Sequence, residues 1–213
     1  MRIGLFGGTF DPVHNGHLRV AEEVRESFGL DRVYFVPTFI QPLKQHVRVT
    51  GADDRLHMIE MGTQGNPFFR PSRFETRRGV VSFSIDTVKA FAKRFDEVYF
   101  LIGVDAFGEL HLWKDYQDLF YFTDFIVMTR PTRRKVDLME MLAPEVRDKV
   151  RHVDESVLEH ASGKRIHLRE ITQLDISSTK IRELARNNQS IRYLVPCAVE
   201  RFVRKKRLYR GLE

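Results

Sequence analysis

Apolar positions along the chain follow two alternating patterns. Short, nearly continuous apolar runs predict strands at residues 2–6, 32–37, 69–74, 98–102, 125–129 and 166–170. Between them, apolar residues recur three and four positions apart. That spacing predicts helices near 18–28, 53–63, 85–95, 113–120, 138–150, 178–187 and 195–206, with a shorter one at 106–110. Strands alternating with helices imply an α/β fold: a Rossmann-like, doubly wound parallel sheet with helices on both faces. The polar insert at 149–165 reads as a loop. Internal repeats and low-complexity linkers are absent, so residues 1–213 read as a single domain with a small C-terminal helical part from about 176 to 213.

Composition narrows this picture only modestly. A hydrophobic content of 42% supports a proper core, and 17 phenylalanines must fill much of it. The net charge of +6 suits an anionic ligand but would suit nucleic acid equally. Part of the excess sits in Arg201, Arg204, Lys205, Lys206, Arg207 and Arg210, which read as a solvated helix face and tail. Cys197 is the only cysteine, which excludes an internal disulfide and fits a reducing compartment. Its neighbours Val195, Ala198 and Val199 suggest a packed structural thiol rather than a nucleophile. Met1 leads straight into the first strand, leaving no room for a signal peptide, and apolar runs stay well short of the ~20 residues of a membrane helix. A cytoplasmic protein without membrane contact is expected.

The most specific stretch is Gly7-Gly8-Thr9-Phe10-Asp11-Pro12-Val13-His14-Asn15-Gly16-His17. It joins the first strand to the first helix, an arrangement that aims backbone N–H groups and a positive helix end at an anion. It lacks the Gly-Lys-Ser/Thr of a P-loop and the full Gly-x-Gly-x-x-Gly of a dinucleotide fingerprint. His14 and His17 admit three readings. Zinc ligation would need further partners, and no clear second cluster is present. Packing as structural histidines is the bland alternative. Donation to phosphate is favoured, because flanking glycines let an anion approach and a histidine pair can stabilise a transferring phosphoryl group.

In a doubly wound sheet, ligands bind beyond the carboxyl ends of the strands where strand order reverses. The fourth strand ends at Gly103-Val104-Asp105. If it neighbours the first, Asp105 and the turn from Thr9 to His17 line one crevice. A second element, Ile176-Ser177-Ser178-Thr179-Lys180-Ile181-Arg182, places hydroxyls and two cations at a helix start. That pattern is either a plain N-cap or a polyphosphate cradle.

Taken in order, Gly-Gly-Thr-Phe-Asp-Pro-Val-His-x-Gly-His, Gly-x-Asp and Ile-Ser-Ser-Thr-x-Ile-Arg resemble the bacterial nicotinate-nucleotide adenylyltransferases, of the His-x-Gly-His nucleotidyltransferases. Ser82-Phe83-Ser84-Ile85-Asp86-Thr87, the block from Leu101 to Trp113, and Thr129-Arg130-Pro131 agree with that family. The resemblance covers nearly the whole chain. It implies transfer of the adenylyl group of ATP to nicotinate mononucleotide, giving nicotinate adenine dinucleotide and pyrophosphate in NAD biosynthesis.

On the ATP side, the resemblance implies that His14 and His17 hold the phosphates and stabilise the transition state. Backbone groups of Gly8, Thr9 and Phe10 would line the phosphate path, Asp105 would bind the adenosine ribose, and Gly103 counts among the ATP-binding residues. Ser178, Thr179 and Arg182 would take the β- and γ-phosphates. On the acceptor side, Trp113 would stack on the pyridine ring, the alternative being a core aromatic. Ser84 stands where the family has a threonine that binds the ring carboxylate, the alternative being a helix cap. Lys44 would meet the acceptor phosphate, although Gln41 and Leu43 depart from the family's Pro-Pro-His-Lys. His14, His17, Lys44 and Arg182 form the expected catalytic set.

Mg²⁺ is expected with ATP, without a metal site of the protein's own. A homo-oligomer is compatible with the chain, and nucleic acid is not an expected partner. Alternative acceptors within the reaction class are nicotinamide mononucleotide and phosphopantetheine. Chain length, Trp113 and the 82–87 block oppose the latter. A non-catalytic nucleotide or nucleic-acid binder is the rival of another class, and intact His14, His17 and Arg182 oppose it.

Overall fold

The computed structural model describes residues 1–42, 49–131 and 136–210. Its strands are β1 (Arg2–Gly8), β2 (Arg32–Pro37), β3 (Phe69–Pro71), β4 (Glu97–Gly103), β5 (Asp124–Thr129), β6 (Val150–His152), β7 (Val157–His160) and β8 (Arg165–Glu170). The helices are α1 (Asn15–Phe28), α2 (Ala52–Thr63), α3 (Phe74–Arg78), α4 (Ser84–Ala92), α5 (Val104–Gly108), α6 (Tyr116–Phe122), α7 (Leu138–Met141), α8 (Pro144–Arg147), α9 (Ser178–Arg186) and α10 (Cys197–Lys206).

These strands form one sheet in the order β3-β2-β1-β4-β5-β8-β7-β6. From β3 to β8 all pairings are parallel, whereas β7 and β6 run antiparallel. Strand order reverses between β1 and β4, which pair directly with Phe6 opposite Leu101. That junction is where a doubly wound sheet opens a crevice.

Period-two alternation distributes the core to both faces. In β5, Phe125 and Val127 enter one cluster with Val88 and Phe91 of α4, while Ile126 and Met128 enter the other. The second cluster holds Val24 of α1, Ile59 of α2, Ile181 of α9 and Val203 of α10. The strands are buried on both sides, hence their nearly continuous apolar runs.

Several local expectations are corrected. The insert at 149–165 is a hairpin, β6 and β7, which extends the sheet. Buried Leu158 and His160 alternate with half-exposed Val157 and Glu159, a short period-two signal hidden among charges. The expected helix at 138–150 is two short ones, because Ala143 before Pro144 is held in extended backbone. The strand expected to reach residue 74 stops at Pro71, which has no N–H for the ladder, and α3 begins at Phe74. Trp113 precedes α6 rather than starting it. Cys197 is exposed, because Val199 and Val203 form the core-facing stripe of α10. The basic residues of the C-terminal segment are exposed as expected, yet Tyr209 among them is buried.

Candidate active site

The turn after β1 is built on a buried ring. Phe10 has φ = 50°, a left-handed conformation costly for a bulky side chain. Its ring packs edge-on against Phe6 at 5.5 Å and against His17 at 5.0 Å, and this burial holds the backbone in place. A Cβ on Gly8 would lie 3.1 Å from the same ring, so glycine at position 8 is what lets the ring fold back beneath the turn.

His14 and His17 cap α1 reciprocally. His14 is the N-cap, and its Nδ1 accepts the His17 N–H while His17 Nδ1 accepts the His14 N–H, both at 3.3 Å. The rings stack with centroids 3.6 Å apart. An Nδ1 that accepts a hydrogen bond carries no hydrogen, so each neutral ring must carry it on Nε2 and present a donor there. Burial lowers the His14 pKa to about 4 and drives His17 lower than usual as well, assisted by the neighbouring His14. The structural and phosphate-binding readings of the pair are therefore compatible: Nδ1 caps the helix and Nε2 remains available. A Cβ on Gly16 would lie 3.0 Å from His14 Nδ1, so only glycine leaves this ring undisturbed.

The 176–182 element docks against this turn. Ser177 caps α9 by accepting the Lys180 N–H. Ser178 donates its hydroxyl to the Pro12 carbonyl at 3.0 Å. Arg182 donates to the Asp11 carbonyl at 2.8 Å and to the Thr179 hydroxyl at 3.3 Å, leaving the rest of its fork open. Two segments far apart in sequence thus form one surface. Asp105 is exposed in the first turn of α5, and Gly103 is its N-cap, both at the end of β4 beside the turn.

A cavity of about 460 Å³ opens on the other side of the β1–β4 junction. Gly8, Thr9, Gly103, Ser84 and Trp113 line it, together with Phe83 and Thr38. Trp113 is half-buried and sets its ring edge-on to Phe100 at 6.1 Å. Ser84 does not cap α4. The N-cap is Phe83, which has no side-chain bond to offer, so the first-turn N–H groups carry no side-chain cap. Lys44 lies outside the described residues. Among the described residues, no group of three or more His, Cys, Asp or Glu is placed to hold a metal ion.

Sequence reasoning missed three participants. Glu75 is only 6% exposed and lines the cavity. It accepts the Thr87 hydroxyl at 2.6 Å, and burial raises its pKa. Its Oε2 and the Thr38 hydroxyl are buried side-chain atoms without a hydrogen-bond partner. Nothing in the sequence marks Glu75, because the short α3 has no readable period. The third, Arg55, was detectable: it falls on the apolar stripe of α2 with Met58 and Ile59, where a charge is out of place.

A cytidylyltransferase-like family model matches residues 5–184. A probable nicotinate-nucleotide adenylyltransferase of Pelobacter propionicus is 42% identical over 212 residues, 98% of each chain. One of Trichlorobacter lovleyi is 41% identical over 211 residues, 98% of this chain and 99% of that one. Among solved structures, the Plasmodium falciparum nicotinic acid mononucleotide adenylyltransferase complexed with NaAD superposes with a TM-score of 0.73. It covers 98% of this chain and 97% of its own at 17% identity, a likeness of fold.

Proposed function

The chain belongs to the cytidylyltransferase-like family, and within it to the nicotinate-nucleotide adenylyltransferases, and from this premise we propose how its residues carry out that reaction. The substrates are ATP and nicotinate mononucleotide; the products are nicotinate adenine dinucleotide and pyrophosphate. One observation carries the reading. The Gly8-Thr9 turn has donor groups suited to phosphate on one side, His14, His17 and the start of α9, and an aromatic-lined cavity with Trp113 and Ser84 on the other.

An oxygen of the acceptor's 5′-phosphate attacks the α-phosphorus of ATP, and the bond from that phosphorus to the bridging oxygen of the β-phosphate breaks. The attacking oxygen is already anionic, so no protein nucleophile or base is required. The protein's task is to hold two polyanions in line and to stabilise the charge that develops. His14 and His17 donate from Nε2 as neutral rings. The backbone of Gly8, Thr9 and Phe10 follows the phosphate path, while Ser178, Thr179 and Arg182 take the β- and γ-phosphates. Gly103 and Asp105 hold the ribose.

Trp113 stacks on the pyridine ring. Ser84 and the uncapped N–H groups of α4 receive its carboxylate, where a helix start favours negative charge. Lys44 completes the phosphate contact on the acceptor. A divalent cation such as Mg²⁺, carried on ATP, would neutralise charge across its phosphates beside His14, His17 and Arg182. The C-terminal part from about 176 to 213 belongs to the same functional domain, since α9 supplies half of the phosphate site. No helix among the described residues is long and apolar enough to cross a membrane, and a cytoplasmic location fits this metabolic role.

The deciding experiment measures pyrophosphate release from Mg-ATP with nicotinate mononucleotide, nicotinamide mononucleotide and phosphopantetheine in parallel. Nicotinate mononucleotide is expected to give the highest kcat/KM. Equal values for acid and amide, or preference for phosphopantetheine, would overturn the substrate reading.

A further inference from the structure

Arg55 is 1% exposed, and a buried guanidinium is costly unless its donors are satisfied. Here every bond goes to a backbone carbonyl. Nη1 donates to Thr9 at 2.7 Å, Nη2 to Thr38 at 2.6 Å and to Phe39 at 3.3 Å, and Nε to Thr50 at 2.8 Å. An apolar side chain would fill this space at less cost in desolvation, so the cation's value lies in what it connects. Thr9 belongs to the ATP-side turn and also borders the acceptor cavity, Thr38 lines that cavity from the end of β2, and Phe39 follows it. A second link crosses the same gap at its rim, where the Thr9 hydroxyl donates to Gln41 Oε1 at 3.1 Å. Gln41 is one of the positions that depart from the related enzymes' pattern. Asp11, in turn, accepts the Thr50 N–H at 3.0 Å and the Tyr209 hydroxyl at 2.8 Å, which closes the frame from below.

We propose that Arg55, with Gln41 at the rim, is a positioning residue that locks the ATP-side turn and the acceptor-side loop into one frame, so that the two phosphates meet in line. The inference rests on the adenylyl-transfer reading above. It accounts for the fork, since a planar guanidinium can reach several carbonyls at once while an ammonium is a single point of contact. On this reading ATP meets the frame through the Thr9 turn, and the acceptor meets it chiefly through the segment of Thr38 and Gln41. Loosening the link should therefore leave each substrate's own binding intact and degrade the alignment of the pair.

The test uses the full chain. Arg55→Lys is compared with wild type and with Ile59→Val, a conservative change of a fully buried residue in the same helix. Equilibrium binding of Mg-ATP and of nicotinate mononucleotide is measured separately, alongside kcat. Arg55→Lys should lose about 10²-fold in kcat, the scale of a misplacement near 1 Å, while each separate affinity stays within about threefold. Ile59→Val should keep its kcat. Unchanged turnover in Arg55→Lys would overturn the proposal, as would a loss of affinity for one substrate that accounts for the whole effect, or an equal kcat loss in Ile59→Val. Should Arg55→Lys not fold, Gln41→Ala at the half-exposed rim decides. A kcat decrease of about three- to tenfold at unchanged affinities supports the tether, and unchanged kcat overturns it. Wild type that turns over a different mononucleotide would fail the substrate reading alone, and the same comparison then runs with that acceptor.

Discussion

Acidification tests whether burial keeps the capped histidine pair neutral. In the unfolded chain His14 titrates near 6.5, whereas in the folded protein burial lowers its pKa to about 4. Between these values the unfolded state binds the extra proton. Stability is therefore fully present above about pH 7 and declines as the pH falls through 6.5 toward 4. The full shift corresponds to about 3 kcal/mol, of which about 2 kcal/mol falls between pH 7.5 and pH 5. Little of this is lost to solvent screening, since His14 is 6% exposed.

His14→Asn removes the titration and keeps the cap, because a carboxamide oxygen can accept the His17 N–H. Thermal unfolding of both proteins at pH 7.5 and pH 5 isolates the contribution of this one ring. Wild type should lose about 4–8 °C more than His14→Asn over that interval. Phosphate must be kept out of the buffer, since an anion at Nε2 would itself raise the pKa. Equal losses in the two proteins would refute the reasoning, as would an NMR titration of His14 with a midpoint near 6.5.

Three further expectations concern the site. His17→Ala should lower kcat by ~10²-fold or more and cost about 2–4 kcal/mol of stability through the lost cap and the lost packing on Phe10 and His14; near wild-type turnover would remove His17 from the catalytic set. Ser84→Ala should narrow the preference for nicotinate over nicotinamide mononucleotide, by about tenfold in the kcat/KM ratio, while Trp113→Ala should weaken both acceptors alike. Unequal loss on removing Trp113 would mean that the ring does more than stack. Glu75 has a raised pKa from burial, so the stability its neutral form provides is lost as pH rises above the ordinary carboxyl range. Glu75→Gln should therefore gain melting temperature relative to wild type between pH 5 and pH 8. A constant offset at both pH values would show that Glu75 is not held neutral.

Much of the fold was legible because strands buried on both faces must be apolar along their length. The runs at β1, β2, β4 and β5 are unmistakable for that reason. Legibility failed where the period was too short to register. The β6–β7 hairpin has only Leu158 and His160 fully buried, with Val150 partly so, and α3 spans barely one turn. Of the site, the turn and the 176–182 segment were readable, since each carries its chemistry on adjacent residues.

What the sequence determined by itself was local: glycines beside a strand end, two histidines at capping spacing, hydroxyls at a helix start, and the alternation that implies a doubly wound sheet. Only the tertiary structure decided which of these meet. Ser178 and Arg182 reach the carbonyls of Pro12 and Asp11, Tyr209 returns from the C-terminal segment to Asp11, and Arg55 gathers the carbonyls of Thr9, Thr38 and Thr50. Such contacts leave no period in the chain. A backbone carbonyl looks the same at every residue, so the sequence cannot say which one a buried cation will find until packing has brought them together.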